Sequence, residues 1–299
     1  MSDNKFVIVG LGEILWDLLP DGKLLGGAPA NFAYHCKVLG ADAHVISAVG
    51  NDELGNEILD KLNILEIPTS NIAIDKKHPT GTVSVKLDER GHPDFTIHQD
   101  VAWDYIPFSG ETLSLALLAN AVCYGSLAQR TGNSKETIIN FLENTSTDTL
   151  NVFDINLRQE YYSKEIIENT LQLTDVFKLN DDELVVLEGM FSLSGSVREQ
   201  LDKLLQTFDL KMVALTKGDK GSELLTAGEY SVYVSPGVKV ADTVGAGDSF
   251  TAALVMGMLN DVPLKELHKR ASDLAAFVCT QKGATPEVPE NVLQNLNFN

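Results

Sequence analysis

Short apolar runs alternate with amphipathic stretches along most of the chain. FVIVGL (6–11) is rich in β-formers and bounded by glycine, which predicts a buried strand. PANFAYHCKVL (29–39) predicts a helix with Pro29 in its first turn. HVISAVG (44–50) reads as a second strand, and ELGNEILDKLNIL (53–65) has apolar residues at helical spacing. The same rhythm returns from about 112 onward. LNVFDINL (150–157), DVFKLN (175–180) and KMVALTKG (211–218) read as strands. ETIINFLENT (136–145), KEIIENTLQL (164–173) and VREQLDKLLQTF (197–208) read as helices, as do SFTAALVMGML (249–259) and PLKELHKRASDLAAFVCTQ (263–281). This alternation implies an α/β fold with a mostly parallel sheet covered on both faces. GTVSVKLDERGHPDFTIH (81–98) breaks it: apolar and polar residues alternate around a turn containing Gly91, which predicts a hairpin with one solvated face, read as a small lid. There is no internal repeat, low-complexity tract or linker.

Charge narrows the range of functions. The 299 residues carry 42 acidic and 23 basic side chains, for a net charge of −19. Such a chain has a poor electrostatic footprint for nucleic acid. An anionic ligand would need local cations or main-chain donors. Cys36, Cys123 and Cys279 are scattered, which reads as reduced thiols in a cytoplasmic protein and not as a disulfide framework or zinc site. The first residues are expected to form a strand instead of a signal peptide, and no apolar run is long enough to cross a membrane.

Several polar clusters fall where strands should end. Gly10 and Gly12 follow the first strand, but Leu15 stands where a dinucleotide fingerprint needs its third glycine, which disfavours a dehydrogenase. Glu13 and Asp17 follow, at the sheet edge where ligands bind. Asp17 reads equally as a hydroxyl acceptor or a solvated turn residue. Gly26 and Gly27 precede a helix with Asn31 in its first turn, either a ligand loop or a plain glycine turn. In DINLR, Asp154, Asn156 and Arg158 would share one face of a continuing strand. Asn180 and Glu183 would share a helical face and also fit a capping box. Thr216, Lys217, Gly218 and Gly221 form either a phosphate loop or a polar hairpin turn. Finally, in DTVGAGDS, the N–H groups of Gly245, Ala246 and Gly247 could converge at a helix N-terminus as an uncharged anion hole, with Asp248 beside it. The helix terminus is expected to keep Asp248 ionised.

These motifs carry a resemblance. GGAPANFAYHCKVLG with the following AVGND, then DINLR, KLNDDE and LTKGDKG, then DTVGAGDSFTAAL and KGATPEVP, resemble the ribokinase-like (phosphofructokinase-B type) carbohydrate kinases over nearly the whole chain. With GEILWDLLPDG, the pattern is most like a fructokinase. The resemblance implies a doubly wound αβα sandwich, one domain over 1–299, with a small β lid from about 13–27 and 80–102. It implies phosphoryl transfer from ATP to a sugar hydroxyl, most like fructose to fructose 6-phosphate. A ribose or 2-keto-3-deoxygluconate kinase is an alternative, and a non-catalytic sugar or nucleotide sensor is a different class. By the same resemblance Asp248 is the base, and Gly245, Ala246 and Gly247 hold the transferring charge. Arg158 lies near phosphate or sugar, while Asp17, Gly26, Gly27 and Asn31 serve the sugar. Asn180, Thr216, Lys217, Gly218 and Gly221 serve the nucleotide. Glu183 serves Mg²⁺ through water, and Asp242 serves a monovalent cation such as K⁺. Partners are expected to be a free sugar, ATP and a second copy through the lid, with no nucleic acid or membrane.

Overall fold

The computed structural model describes residues 5–19, 22–87, 93–235 and 237–296. The chain opens with β1 (Val7–Leu11), then β2 (Leu15–Leu19) and β3 (Gly22–Gly26), before α1 (Ala28–Val38), β4 (Asp42–Gly50), α2 (Glu53–Ile64) and β5 (Ile72–Asp75). β6 (Gly81–Leu87) and β7 (Pro93–Ile97) follow. Then come α3 (Gly110–Leu118), β8 (Ala121–Tyr124), α4 (Gly132–Glu143), β9 (Leu150–Asp154), α5 (Lys164–Leu171), β10 (Val176–Asn180), α6 (Asp181–Phe191) and α7 (Val197–Thr207). The last part holds β11 (Met212–Thr216), β12 (Ser222–Leu225), β13 (Tyr230–Tyr233), α8 (Ala246–Leu259), α9 (Leu264–Cys279) and α10 (Glu290–Leu296).

The large sheet has nine strands in the order β13-β12-β11-β10-β9-β8-β1-β4-β5. From β11 to β5 every pairing is parallel, and β12 and β13 add an antiparallel edge. Strand side chains alternate between two cores. Ile8, Cys123, Val152, Val176, Met212 and Ala214 pack with α1, α2, α8 and α9. Val9, Val122, Phe153, Phe177, Val213 and Leu215 pack with α3 to α7. Tyr124, Phe153 and Phe177 stack across adjacent strands with centroids 5.7 and 5.6 Å apart. The mostly parallel, twice-covered sheet expected from the alternating pattern, and the doubly wound sandwich implied by the family resemblance, are thus the observed fold.

The small sheet has the order β3-β2-β6-β7. The turn of the expected 81–98 hairpin, with Arg90 and Gly91, lies outside the described residues. The first half of this sheet packs on α2: Trp16 Nε1 donates to the Leu54 carbonyl at 3.0 Å, and Lys23 pairs with Glu57. Its exit is held by Arg130, just before α4. Arg130 Nη2 donates to the His98 carbonyl at 2.7 Å. Its Nε and Nη2 also grip both Asp104 oxygens at 2.8 Å. The guanidinium lies 3.9 Å from the Trp103 ring centroid. Both side chains of this ion pair are almost wholly buried, at 3% and 0% exposure. Removing one partner strands the other charge, which costs about 3–5 kcal/mol. Arg130→Met is therefore expected to lower unfolding stability by about that amount in urea titrations. A loss below about 1 kcal/mol would show that the pair does not hold the lid root.

Candidate active site

The carboxyl ends of the parallel strands converge on one edge of the sheet. Asp154 closes β9, Asn180 closes β10 and Thr216 closes β11, with Lys178 in register with Asp154 and Asn180 with Thr216. α8 arrives at this edge with its N-terminus. The sequence predicts that helix from 249, but it begins at Ala246, so Gly247 and Asp248 lie inside its first turn. Gly245 is the cap in a left-handed conformation, φ 79°. A Cβ there would sit 2.6 Å from Ala284 Cα, so the turn admits only glycine.

Asp248 Oδ2 accepts from Asn31 Nδ2 at 2.8 Å. This bond joins the first turns of α1 and α8, 217 residues apart in sequence. Gly27 caps α1 with φ 117°, and a Cβ on it would lie 2.5 Å from the Glu13 carbonyl oxygen. Asp17 stands on β2, not in a turn beyond β1, and its carboxylate lies against Gly26: a Cβ there would be 2.7 Å from Oδ2. The direction of the Asp248 pKa shift is opposite to the one expected from the helix terminus. Burial, then the neighbouring Asp154 carboxylate, raises its pKa to about 6, against the Asn31 hydrogen bond and the Lys178 and Arg158 charges. The residue keeps a partly open surface.

Lys178 is the site residue the motif reading missed. Its Nζ pairs with Asp154 Oδ1 at 3.0 Å, with both side chains buried. The same ammonium lies 3.0 Å from where a Gly247 Cβ would be. Burial alone would lower its pKa, but Asp154, Glu183 and Asp248 together raise it, so it stays cationic. An anion held at this turn would therefore not meet main chain alone. Of the three expected main-chain donors, Ala246 N–H is already engaged by the Thr243 carbonyl at 3.3 Å. The signal was present in the sequence: a lone lysine inside the buried run DVFKLN.

The DINLR reading needs correction. β9 ends at Asp154, and Asn156 and Gln159 adopt φ of 43° and 48°, so the strand period does not carry through to Arg158. Arg158 is exposed and donates to the Leu157 carbonyl and Asn156 Oδ1. Its charge still reaches Glu13, Asp17 and Asp248, lowering the pKa of each against a larger upward effect of burial. Glu13 is buried at 6% exposure and its pKa is pushed up to about 7.

On the other side of Lys178, Asn180 and Glu183 form the expected capping box. Asn180 Oδ1 accepts from Glu183 N and Glu183 Oε2 from Asn180 N, each at 2.8 Å. Glu183 Oε1 accepts from Leu157 N at 2.9 Å. The Thr216–Gly221 segment is a tight turn into β12. Gly218 and Gly221 have φ of 56° and 101°, and a Gly221 Cβ would collide with the Tyr233 carbonyl oxygen. Lys217 Nζ is turned away to Glu223 at 2.5 Å, so its ammonium is not brought to the anion hole. Asp242 clamps the approach to α8, accepting from Val244 N at 3.1 Å and Gly283 N at 3.0 Å. His35, one turn beyond Asn31, donates from Nε2 to the Ala284 carbonyl at 2.9 Å.

Folding raises the Asp248 pKa, so the native state holds that proton more tightly than the unfolded chain. Stability therefore falls as pH climbs from the ordinary aspartate value of 3.8 towards about 6 and gains nothing back above it. Asp248→Asn is expected to be more stable than the parent at pH 8 by about 1–3 kcal/mol, at 1.36 kcal/mol per pKa unit. Thermal melts should show that advantage disappearing by about pH 4. Equal melting temperatures at pH 8 would refute it.

Comparison with known proteins bears on this geometry. The pfkB family carbohydrate kinase model matches residues 22–291. An uncharacterized sugar kinase of Pyrococcus horikoshii is 31% identical over 306 residues, spanning 95% of this chain and 94% of that protein. Its crystal structure with ATP superposes with a TM-score of 0.82 at 28% identity, over 97% and 100% of the two chains. A fructokinase of Klebsiella pneumoniae is 30% identical, over 93% of this chain and 95% of its own. A fructokinase double mutant of Vibrio cholerae O395, solved with fructose, ADP and potassium ion bound, matches with a TM-score of 0.81 at 25% identity, over 99% of each chain.

Proposed function

The chain belongs to the pfkB family of carbohydrate kinases, and on that premise we propose that it moves the γ-phosphoryl group of ATP to a primary hydroxyl of free D-fructose, giving fructose 6-phosphate. The observation that carries the reading is the Asn31–Asp248 bond beside the Gly245–Gly247 turn. It puts a carboxylate, a hydroxyl-binding amide and a phosphate-sized helix terminus within one small region. In this reading Asp248 takes the proton of the accepting hydroxyl. A pKa near 6 suits that task better than a depressed one, since it makes a stronger base that is still ionised at neutral pH.

Phosphoryl transfer asks mainly for positioning and charge stabilisation. Gly245 and Gly247 would face the transferring group with main-chain donors, and Lys178 would add a fixed cation from the strand side. Asp17, Gly27 and Asn31 would hold the sugar, with Gly26 giving Asp17 room and Arg158 closing from the exposed side. Asn180, Thr216, Gly218 and Gly221 would line the nucleotide. Among the described residues no group of three or more His, Cys, Asp or Glu side chains could cage a metal. That fits Mg²⁺, which keeps waters and binds through substrate phosphates, with Glu183 acting through water. When bound, it would neutralise charge on the β- and γ-phosphates. Asp242 already uses both oxygens on main-chain N–H groups, so a K⁺ ion there would depend on surrounding carbonyls.

Fructose is favoured over other acceptors by the Klebsiella and Vibrio relatives. Another sugar kinase activity, on ribose or 2-keto-3-deoxygluconate, is the second reading. Charge weighs against the acid sugar: Asp17 and Asp248 gather where, among the described residues, Arg158 is the shared counter-charge. A cytoplasmic protein of one domain, pairing with a second copy through the lid strands, completes the proposal.

A coupled ADP-release assay over a panel of free sugars is expected to give turnover with fructose well above ribose and 2-keto-3-deoxygluconate. Failure of every free sugar in the panel to support ADP release would sink the reading. Asp248→Asn should lose about 10²–10⁴-fold in kcat while remaining folded. Near-parental turnover would remove Asp248 from the base role. Replacing K⁺ by a bulky organic cation should lower activity, and an unchanged rate would count against the Asp242 site.

A further inference from the structure

Two buried oxygen atoms in this region have no hydrogen-bond partner among the described residues. Asn31 Oδ1 is one, and Glu13 Oε2 is the other. Both residues are more than nine-tenths buried, at 4% and 6% exposure. A buried polar atom without a partner is costly unless a ligand or water satisfies it. The orientation of Asn31 is fixed by chemistry: a carboxylate only accepts, so the amide nitrogen must face Asp248 and the carbonyl must face away. Glu13 sits at the same end of α1. Its carbonyl oxygen lies where a Gly27 Cβ would be, and the Ala28 amide acts on its carboxylate.

The groups that act on the Glu13 carboxyl come from three sides. Asp248 on α8 repels its charge, Arg158 in the loop after β9 attracts it, and Ala28 N at the start of α1 favours it. Burial outweighs the three favourable contributions, from Glu13's own N–H, Arg158 and Ala28 N. A carboxyl in that setting holds its proton up to about pH 7, and a protonated carboxyl is a hydrogen-bond donor. The second unpartnered atom, Asn31 Oδ1, is an acceptor. A polyhydroxylated ligand can satisfy both at once, since each hydroxyl accepts and donates.

We propose that Glu13 is a sugar-binding residue of this kinase, acting as the protonated acid and donating from its carboxyl to one substrate hydroxyl while Asn31 Oδ1 accepts from a neighbouring one. The assignment rests on the sugar kinase reading and adds a donor that the glycine and aspartate motifs do not supply. It also gives a reason for glutamate at this position: aspartate would reach less far, and a purely apolar side chain would leave the substrate hydroxyl unpaired. Proton transfer to phosphate is not involved, so Glu13 should affect sugar binding more than the chemical step.

The test is steady-state kinetics of the full chain with fructose and ATP from pH 6 to 9, for the parent, Glu13→Gln and Glu13→Ala. Glu13→Gln keeps a donor that does not titrate. The parental KM for sugar should rise with pH, approaching about tenfold per unit above about pH 8, because only the protonated acid binds. Glu13→Gln, whose amide donor does not titrate, should lose the alkaline rise in sugar KM. Glu13→Ala should raise the sugar KM about tenfold at pH 7, with the ATP KM unchanged. A parental sugar KM that is flat with pH, or an unchanged sugar KM in Glu13→Ala, overturns the proposal and leaves a bound water as the partner of Oε2. Equal losses in sugar KM, ATP KM and kcat for Glu13→Gln also overturn it, by making the residue structural. No turnover by the parent with any free sugar overturns this proposal and the kinase reading together.

Discussion

The site depends on one buried ion pair. Lys178 and Asp154 stand side by side on neighbouring strands, and each would be intolerable alone in that interior. Together they fix a point to which everything else is referred. The Thr251 hydroxyl lies 3.0 Å from both Asp154 Oδ2 and the Gly247 carbonyl, sharing its proton between them. This ties the first turn of α8 to the end of β9. The pair thus sets where the helix N-terminus points, how close a cation stands to Gly247, and which charges Asp248 feels. A surface ion pair of the same geometry would be screened and would fix nothing.

The remaining constraints are arranged around that point. α1 is docked twice: Asn31 holds Asp248, and His35 holds the Ala284 carbonyl that walls Gly245. Since His35 donates from Nε2, its Nδ1 is the unprotonated nitrogen, and burial keeps the ring neutral by pulling its pKa down to about 4. Backbone room is set by glycines at the two closest approaches, Gly27 against Glu13 and Gly245 against Ala284. The small sheet is fastened at both roots, through Trp16 on α2 and Arg130 at the head of α4. A rigid floor and a separately rooted cover are what a reaction needing both substrate entry and water exclusion requires.

Much of this was legible in the chain because the relevant residues are contiguous. The glycine turns with Asn31 and Asp248 are local patterns, and so is the capping box at Asn180 and Glu183. Strand alternation gave the two cores for the same reason. What escaped the sequence depends on distant partners or on single backbone angles. The charge of Asp248 is set by burial and Asp154, neither of which is near it in sequence. Left-handed residues at Asn156 and Gln159 turn DINLR out of its strand, and nothing in the alternation announces them. Lys217 looked like a phosphate ligand until Glu223, on the next strand, claimed it. β12 and β13 are only four residues each, too short for a period to register. Lys178 is different: a cation inside an apolar run was visible, and its isolation was the clue.

The bond between Asn31 and Asp248 also has a consequence for how the molecule is made. It closes a loop of 217 residues, and β1 must wait for β8 to gain its second neighbour. During synthesis the amino-terminal half emerges with α1 folded against nothing on its α8 side, exposing Phe32, Ala33 and Cys36 from the core they will share with α8 and α9. Contacts of such long sequence separation form late and slowly. The nascent chain therefore carries a sticky apolar helix until its last quarter leaves the ribosome, and that interval is when chaperone capture or misassociation competes with completion of the fold.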